Sequence, residues 1–210
     1  MIDLHTWTTP NGRKVSIALE ELGLPYRAHA VDIGKDEQFR PEFLAIAPNN
    51  RIPAIVDSDT GLTLMESGAI LIYLADKTGR LLAREGEARY RALEWVMWQM
   101  GGLGPMLGQA HHFLRAKPGA APYAEERYVA EAKRLYGVLD RRLAGRDFIT
   151  GEYSIADIAC WPWVSRYEWH RADIAAFPNV LRWYRAIAAR PAVQRGYQVP
   201  KPAGEIPMPA

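Results

Sequence analysis

The first thirty or so residues change hydrophobic period twice, and that change limits the folds open to the chain. Residues 2–7, "IDLHTW", alternate as a short strand does. Residues 11–23, "NGRKVSIALEELG", switch to helical spacing, with Val15, Ile17, Ala18 and Leu22 on one face, Asn11 able to cap the start and Gly23 suited to a C-cap. "PYRAHAVD" then returns to strand character after the turn residues Gly23 and Pro25. Strand, helix and strand in such a short span predict a right-handed parallel unit.

The next segments extend this unit. "EQFRPEFLAIAPNN" predicts a short irregular helix closed by Pro48, Asn49 and Asn50. "IPAIVD" and "LTLM" predict two strands joined by "SDTG", whose Asp, Thr and Gly suit a tight hairpin. "ESGAILIYLADKTG" predicts an apolar helix from Glu66 to near Lys77. Residues 1–80 therefore read as a βαβαββα α/β domain, with a linker at 81–87 inside "KTGRLLAREGE".

Beyond the linker strand candidates disappear, and residues 88–198 read as an all-α bundle followed by a Pro-rich tail, 199–210, that is not helical. In "EARYRALEWVMWQMGGLGPMLGQAHHFLR", the run "GGLGP" should bend or interrupt a long helix. "YAEERYVAEAKRLYGVLDRRLAG" places Tyr128, Ala132, Leu135, Leu139 and Leu143 on one face. Further helices are expected at 155–168, 178–189 and 191–197.

Composition narrows function mainly by exclusion. A net charge of +2, without a long Lys or Arg block, argues against nucleic acid as the principal partner. No apolar run approaches the roughly 18 residues a membrane span needs, and Asp3 interrupts the N-terminus before a signal core could form. Cytoplasm is the expected location. The single cysteine, Cys160, rules out an internal disulfide and a C-x-x-C pair, so redox chemistry here needs a borrowed sulfur.

Three short stretches carry chemistry or its scaffolding. In "NNRIPAIVD", Pro53 opens a strand and cannot donate to the sheet. A cis bond there would turn the Ile52 backbone groups outward to pair with a bound peptide, whereas an edge-strand proline needs no ligand. In "ESG", Glu66 and Ser67 precede an apolar helix, whose N-terminal N–H groups and the Ser67 hydroxyl suit a carboxylate while Glu66 suits an ammonium. Helix capping alone is the competing explanation. "YSIAD" is a capping box in its Asp form, Ser154 with Asp157, flanked by Tyr153 and Ile158 at hydrophobic-staple positions.

The paired "IPAIVD" and "ESGAILIYL" motifs, followed by a helical half containing "YSIADIACWPW", resemble a cytosolic glutathione transferase with its thioredoxin-like N-terminal domain. The likeness runs from Ile2 to about Gly196. "TPNGRKVSIALEE", "QFRPEFLAIAPNNRIPAIVD" and "WQMGGLGPMLGQAHHF" resemble the bacterial Nu class, the glutathione-dependent disulfide-bond oxidoreductases. The resemblance implies that Pro53 is cis and that Ile52 pairs with the cysteinyl backbone of glutathione. It implies Glu66 and Ser67 as binders of the γ-glutamyl end and Gln38 as a contact to the glutathione backbone. Gln99 and Arg127 would reach glutathione across a homodimer interface, with Arg127 able to pair with a carboxylate.

Glutathione transferases commonly place Tyr, Ser or Cys near the end of the first strand, and this chain has Thr8, Thr9 and Asn11 there. The resemblance makes Thr9 and Asn11 the working residues, holding a thiolate at a helix N-terminus without acting as nucleophiles. Disulfide exchange needs an attacking thiolate and a second thiol to resolve the mixed disulfide. Glutathione, the expected cosubstrate, would supply both, giving two reduced molecules or one oxidised molecule per site, with a small disulfide or electrophile as the other substrate. Peroxide reduction and conjugation are expected lesser activities; a conjugating transferase and a non-catalytic binding module are the alternatives.

No metal is expected. His111 and His112 are adjacent, about 100° apart on a helix, and cannot form a His-x-x-x-His pair; surface or structural roles are expected for both, with lining of the cleft or the dimer contact together with Gln109 as the alternative. Cys160 reads as a buried core residue. Trp95, Trp98, Trp161, Trp163, Trp169 and Trp183 read as core and interface.

Overall fold

The computed structural model describes residues 1–209. Contacts divide the chain into two units: 1–84 with 189–206, and 85–188 with the end of the chain from Pro207.

In the first unit the period changes become a four-stranded sheet of order β2-β1-β3-β4, from β1 (Ile2–Thr6), β2 (Tyr26–Ala30), β3 (Ala54–Asp57) and β4 (Leu62–Met65). β1 pairs parallel with β2, as the βαβ pattern requires, and antiparallel with β3; β3 and β4 form the expected hairpin. At its turn the buried Asp57 accepts hydrogen bonds from Tyr73 Oη (2.5 Å), Lys77 Nζ (2.7 Å) and the Asp59 amide (3.0 Å). These donors hold its carboxyl at about 2, although burial alone would raise it.

Helix α1 (Pro10–Leu22) ends at Gly23, whose φ of 67° is the left-handed C-cap expected from the sequence. The irregular helix resolves into a single 3₁₀ turn, Glu37–Phe39, and a one-turn α2 (Pro41–Leu44). Phe43 and Ala47 pack with Val31 and Ala54, and against this cluster lie Ile52 and Met65. Helix α3 (Ser67–Thr78) packs on α1.

In the helical unit, α4 (Gly86–Trp98) is neither cut nor sharply ended at "GGLGP". A π turn over Gln99–Leu103 leads into α5 (Gly104–His111), and a second covers His112–Ala116. Widening the helix accommodates the missing N–H of Pro105 without ending the segment. Helix α6 (Pro122–Leu143) buries Ala132, Leu135, Leu139 and Leu143, while Tyr128 is half-buried. Helix α7 (Ile155–Val164) is buried along its whole length and begins at the expected Ser154–Asp157 capping box. Helix α8 (Pro178–Ala188) completes the unit.

Helix α9 (Pro191–Tyr197) forms where its periodicity predicts, but it departs from an all-helical domain spanning 88–198. It packs on α1 and belongs with the first unit. Ser16 Oγ donates to Gly196 O at 2.7 Å, and the buried Arg13 donates to Tyr197 O at 3.3 Å with its guanidinium 3.4 Å over the Tyr197 ring. A Cβ on Gly196 would lie 2.7 Å from Ile17 Cα, so only glycine permits this approach. Helical period identifies an element's apolar face but not the partner that covers it. The tail beyond α9 is non-helical through residue 209, and Lys201 Nζ sits 4.0 Å over the Trp7 ring.

Candidate active site

The strand-to-helix junction after β1 is built by short-range bonds. Thr9 is extended (φ −107°, ψ 162°), and its Oγ1 accepts the Gly12 amide at 3.2 Å, making Thr9 the N-cap of α1. The expectation that Asn11 caps this helix is therefore corrected. Pro10 takes the first helical position, where its missing N–H costs nothing, so the helix begins one residue before Asn11. A Cβ on Gly12 would fall 2.2 Å from Trp7 O and 2.5 Å from Thr6 Oγ1. Glycine is what lets the first turn of α1 close so tightly on β1.

Beside this junction lies a cleft of about 140 Å³ lined by Asn11, Asn49, Arg51, Ile52, Pro53, Met65, Glu66 and Ser67. Five residues singled out from the sequence thus meet in one place: Asn11, Ile52, Pro53, Glu66 and Ser67. The Ile52–Pro53 peptide bond is cis. Glu66 is exposed, makes no side-chain capping bond, and has φ 70° and ψ 109°, a conformation unfavourable for a residue with a Cβ. Capping alone does not explain this residue, because its carboxylate is not used to cap α3. Ser67, at the first position of α3, is buried at the cleft wall.

One functional candidate was missed. Lys14, in the second turn of α1, is fully buried, and its Nζ lies 3.2 Å from Ser67 Oγ. On a helical wheel it reads as an ordinary solvated lysine, and only the packing of α1 against α3 brings it to the cleft wall.

The other candidates lie apart from this lining. Thr9 caps the helix that presents Asn11; it is half-buried and is not among the residues lining the cleft. Gln38 sits in the 3₁₀ turn, with Nε2 3.4 Å from Asp36 Oδ1 and a buried Oε1 that accepts no hydrogen bond from the described residues. Gln99 is buried in the first π turn of the helical unit. Arg127 is exposed on α6 beside a separate cleft of about 520 Å³ that includes Met106, Tyr123 and Arg134.

Cys160 is fully buried in α7. His112 is exposed, but His111 has a structural role: its Nε2 is 2.7 Å from His170 Nε2, and His170 Nδ1 is 3.0 Å from Tyr136 Oη. Burial, reinforced by Arg166 and Arg115, pushes His111 down to about 4, and burial also lowers His170. Trp161, Trp163 and Trp183 are core residues, whereas Trp95 and Trp98 are half-buried and pack edge to face, their rings 5.0 Å apart. Among the described residues no group of three or more His, Cys, Asp or Glu is placed to hold a metal ion, and no helix is long and apolar enough to cross a membrane.

Comparison with known proteins follows both halves of this architecture. Residues 8–77 match the glutathione S-transferase N-terminal domain and residues 122–186 the C-terminal domain. The disulfide-bond oxidoreductase YfcG of Escherichia coli is 56% identical over 91% of this chain and 92% of its own length. YghU of the same organism, also a disulfide-bond oxidoreductase, is 38% identical over 98% of this chain and 77% of its own. Among solved structures, a glutathione transferase from Burkholderia graminis with two glutathione molecules bound per subunit superposes with a TM-score of 0.91 at 50% identity, covering 96% of this chain and 89% of that one. One from Pseudomonas putida, with one glutathione disulfide bound per subunit, gives 0.91 at 47% identity, over 95% of this chain and 91% of that one. A cis proline and an unusually twisted Glu-Ser step share one cleft, and the flanking sequence matches the two domain descriptions in order; the chain belongs to the glutathione S-transferase family.

Proposed function

We propose that this protein is a glutathione-dependent disulfide-bond reductase whose thiols come from bound glutathione rather than from a protein cysteine. The observation that carries the reading is the position of the only cysteine. Cys160 is fully buried in α7, while the cleft that gathers Asn11, Ile52, Pro53, Glu66 and Ser67 contains no cysteine. The names of YfcG and YghU, and the paired or oxidised glutathione in the Burkholderia and Pseudomonas proteins, support the same chemistry.

In this reading Glu66 takes the ammonium and Ser67, with the N-terminus of α3, the carboxylate of the γ-glutamyl group. Ile52 pairs with the cysteinyl backbone, and Gln38 offers its buried Oε1 as a further acceptor. Thr9 Oγ1 already accepts the Gly12 amide, so its own O–H is left to donate to a thiolate, and Asn11 with the α1 N-terminus adds to the same field. One glutathione thiolate attacks a disulfide sulfur, forming a mixed disulfide and releasing one thiolate, which takes up a proton. The second glutathione thiolate then attacks the glutathione sulfur of that mixed disulfide. The second substrate thiol leaves, and oxidised glutathione remains.

The protein acts in the cytoplasm as a homodimer on a small disulfide, with peroxides and electrophiles as lesser substrates of the same thiolate. Tyr90 and Met97, both exposed and one heptad apart on α4, give an apolar face that a second copy could cover. Of the two residues expected to contact glutathione across that interface, Arg127 is the better suited, since Gln99 is buried within its own unit.

Turnover measured with glutathione and either a small mixed disulfide or a chlorinated aromatic acceptor tests the proposal. Disulfide reduction should dominate and should survive Cys160→Ala. Thr9→Ala should depress it, with Thr9→Ser restoring it, beyond the helix-cap loss of about 1 kcal/mol. Faster conjugation than reduction, or loss of reduction in Cys160→Ala, would refute the scheme.

A further inference from the structure

The Pro-rich segment after α9 is tied down, although it forms no helix. Gln198 closes it into a loop with its side-chain amide: Nε2 donates to Gly204 O and Oε1 accepts the Ala203 amide, both at 2.8 Å. Pro200 and Pro202 flank Lys201 inside that loop, and their fixed φ reduces the freedom lost when the loop closes. Lys201 is exposed, yet its Nζ is seated 4.0 Å over the Trp7 ring.

Trp7 leads directly into the β1–α1 junction. Its carbonyl accepts the Thr9 amide at 2.7 Å, and a Cβ on Gly12 would fall 2.2 Å from the same oxygen, so this peptide is packed into the first turn of α1. On the far side of the junction the base of the loop is fixed to α1, where Arg13 and Ser16 donate to Tyr197 O and Gly196 O. Residues 196–204 therefore hold the chain on both sides of Thr9 and Asn11. Neither Trp7 nor Lys201 lines the cleft, so the loop acts on the junction rather than on a ligand. The direction of the Thr9 hydroxyl follows the backbone between these two holds, and a hydrogen bond weakens steeply as its angle departs from linear.

We infer that the 198–204 loop braces the junction that holds the glutathione thiolate, with Lys201 as the positioning residue that acts through Trp7 on Thr9. This rests on the reading that Thr9 and Asn11 hold that thiolate, and the test separates the two.

The ionisation of bound glutathione is followed by the ultraviolet absorbance of its thiolate, and S-methylglutathione, which has no thiol to ionise, is titrated by calorimetry. At neutral pH the wild-type protein should raise the thiolate-to-thiol ratio by at least about tenfold over free glutathione. If it does not, the thiolate reading of Thr9 and Asn11 fails, and the brace with it. Given that rise, Lys201→Met and Gln198→Ala should each forfeit about threefold of it, the scale of one exposed cation–π contact, while Lys201→Arg keeps it. S-methylglutathione should bind all three variants within about twofold of wild type. An undiminished ratio in Lys201→Met and Gln198→Ala would overturn the brace and leave the thiolate reading standing. A loss in Lys201→Met alone would mean that its charge acts without the loop, and an equal loss of S-methylglutathione affinity would mean a general packing role; either result overturns the inference.

Discussion

Removing the Asp157 carboxylate should destabilise the protein by an amount that depends on pH in an unusual direction. Asp157 is fully buried; its Oδ1 accepts the Ile149 amide at 2.9 Å and Trp183 Nε1 at 2.8 Å, and its Oδ2 accepts the Ser154 amide at 3.0 Å. Asp157→Ala leaves three buried N–H groups without an acceptor, each costing about 2 kcal/mol, so the gross loss is about 6 kcal/mol. Against this stands the cost of a buried charge, which lifts the carboxyl from its ordinary 3.8 to about 6 despite the donors around it. The difference, 6 − 3.8 = 2.2 pH units, corresponds to about 3 kcal/mol. Between pH 4 and 6 the folded protein keeps a proton that the unfolded chain has lost, so this site's contribution to stability falls as pH rises. Asp157→Ala should therefore cost about 6 kcal/mol near pH 4 and about 3 kcal/mol at pH 7. Urea unfolding of both proteins at the two pH values, or thermal unfolding where the variant is too unstable, measures this directly, since other titrations cancel in the difference. Asp157→Asn keeps Oδ1 for Ile149 and Trp183 and should cost less. A loss below 1 kcal/mol at both pH values, or one that grows with pH, would refute the reasoning.

His111 should act with the opposite sign. Folded His111 titrates near 4 rather than 6.5, so below pH 6.5 the unfolded chain binds the extra proton, and this contribution to stability rises with pH between 4 and 6.5. His111→Phe should flatten that slope in urea midpoints at pH 4.5 and 7; an unchanged slope would remove His111 from the account. Gly12→Ala drives a methyl to 2.2 Å from a backbone oxygen, at the severe end of overpacking, about 3 kcal/mol or a fall of about 6–12 °C in Tm. A Tm within 2 °C of wild type would mean that the junction relaxes more readily than its geometry indicates.

What the sequence made legible was local. The double change of period predicts β1, α1 and β2, and Gly23, Ser154 with Asp157, and the Asp-Thr-Gly hairpin each act through neighbours within a few residues. The cleft was legible for a similar reason, because Ile52–Pro53 and Glu66–Ser67 flank one hairpin and converge once it closes. What stayed hidden depends on contacts distant in sequence. Lys14 meets Ser67 across 53 positions, His111 meets His170 across 59, and Ser16 meets Gly196 across 180. The cap of α1 was misplaced by two residues for a smaller reason. Asn11 is a good capping residue, but Pro10 extends the helix and hands the cap to Thr9.

The docking of α9 on α1 also bears on how the chain is made. The first unit draws its last pieces, 189–206, from beyond the 104 residues of 85–188, so its α1 face stays uncovered while that stretch is synthesised. At typical elongation rates the wait is roughly 5–20 s, far longer than a small domain needs to collapse. During that interval Arg13, Ser16 and Ile17 lack the partners they have in the finished protein. A nascent chain halted before residue 189 therefore offers an uncovered helix face beside a complete four-stranded sheet, which makes the arrival of residues 189–206, rather than emergence of residues 1–84, the step that completes the first unit.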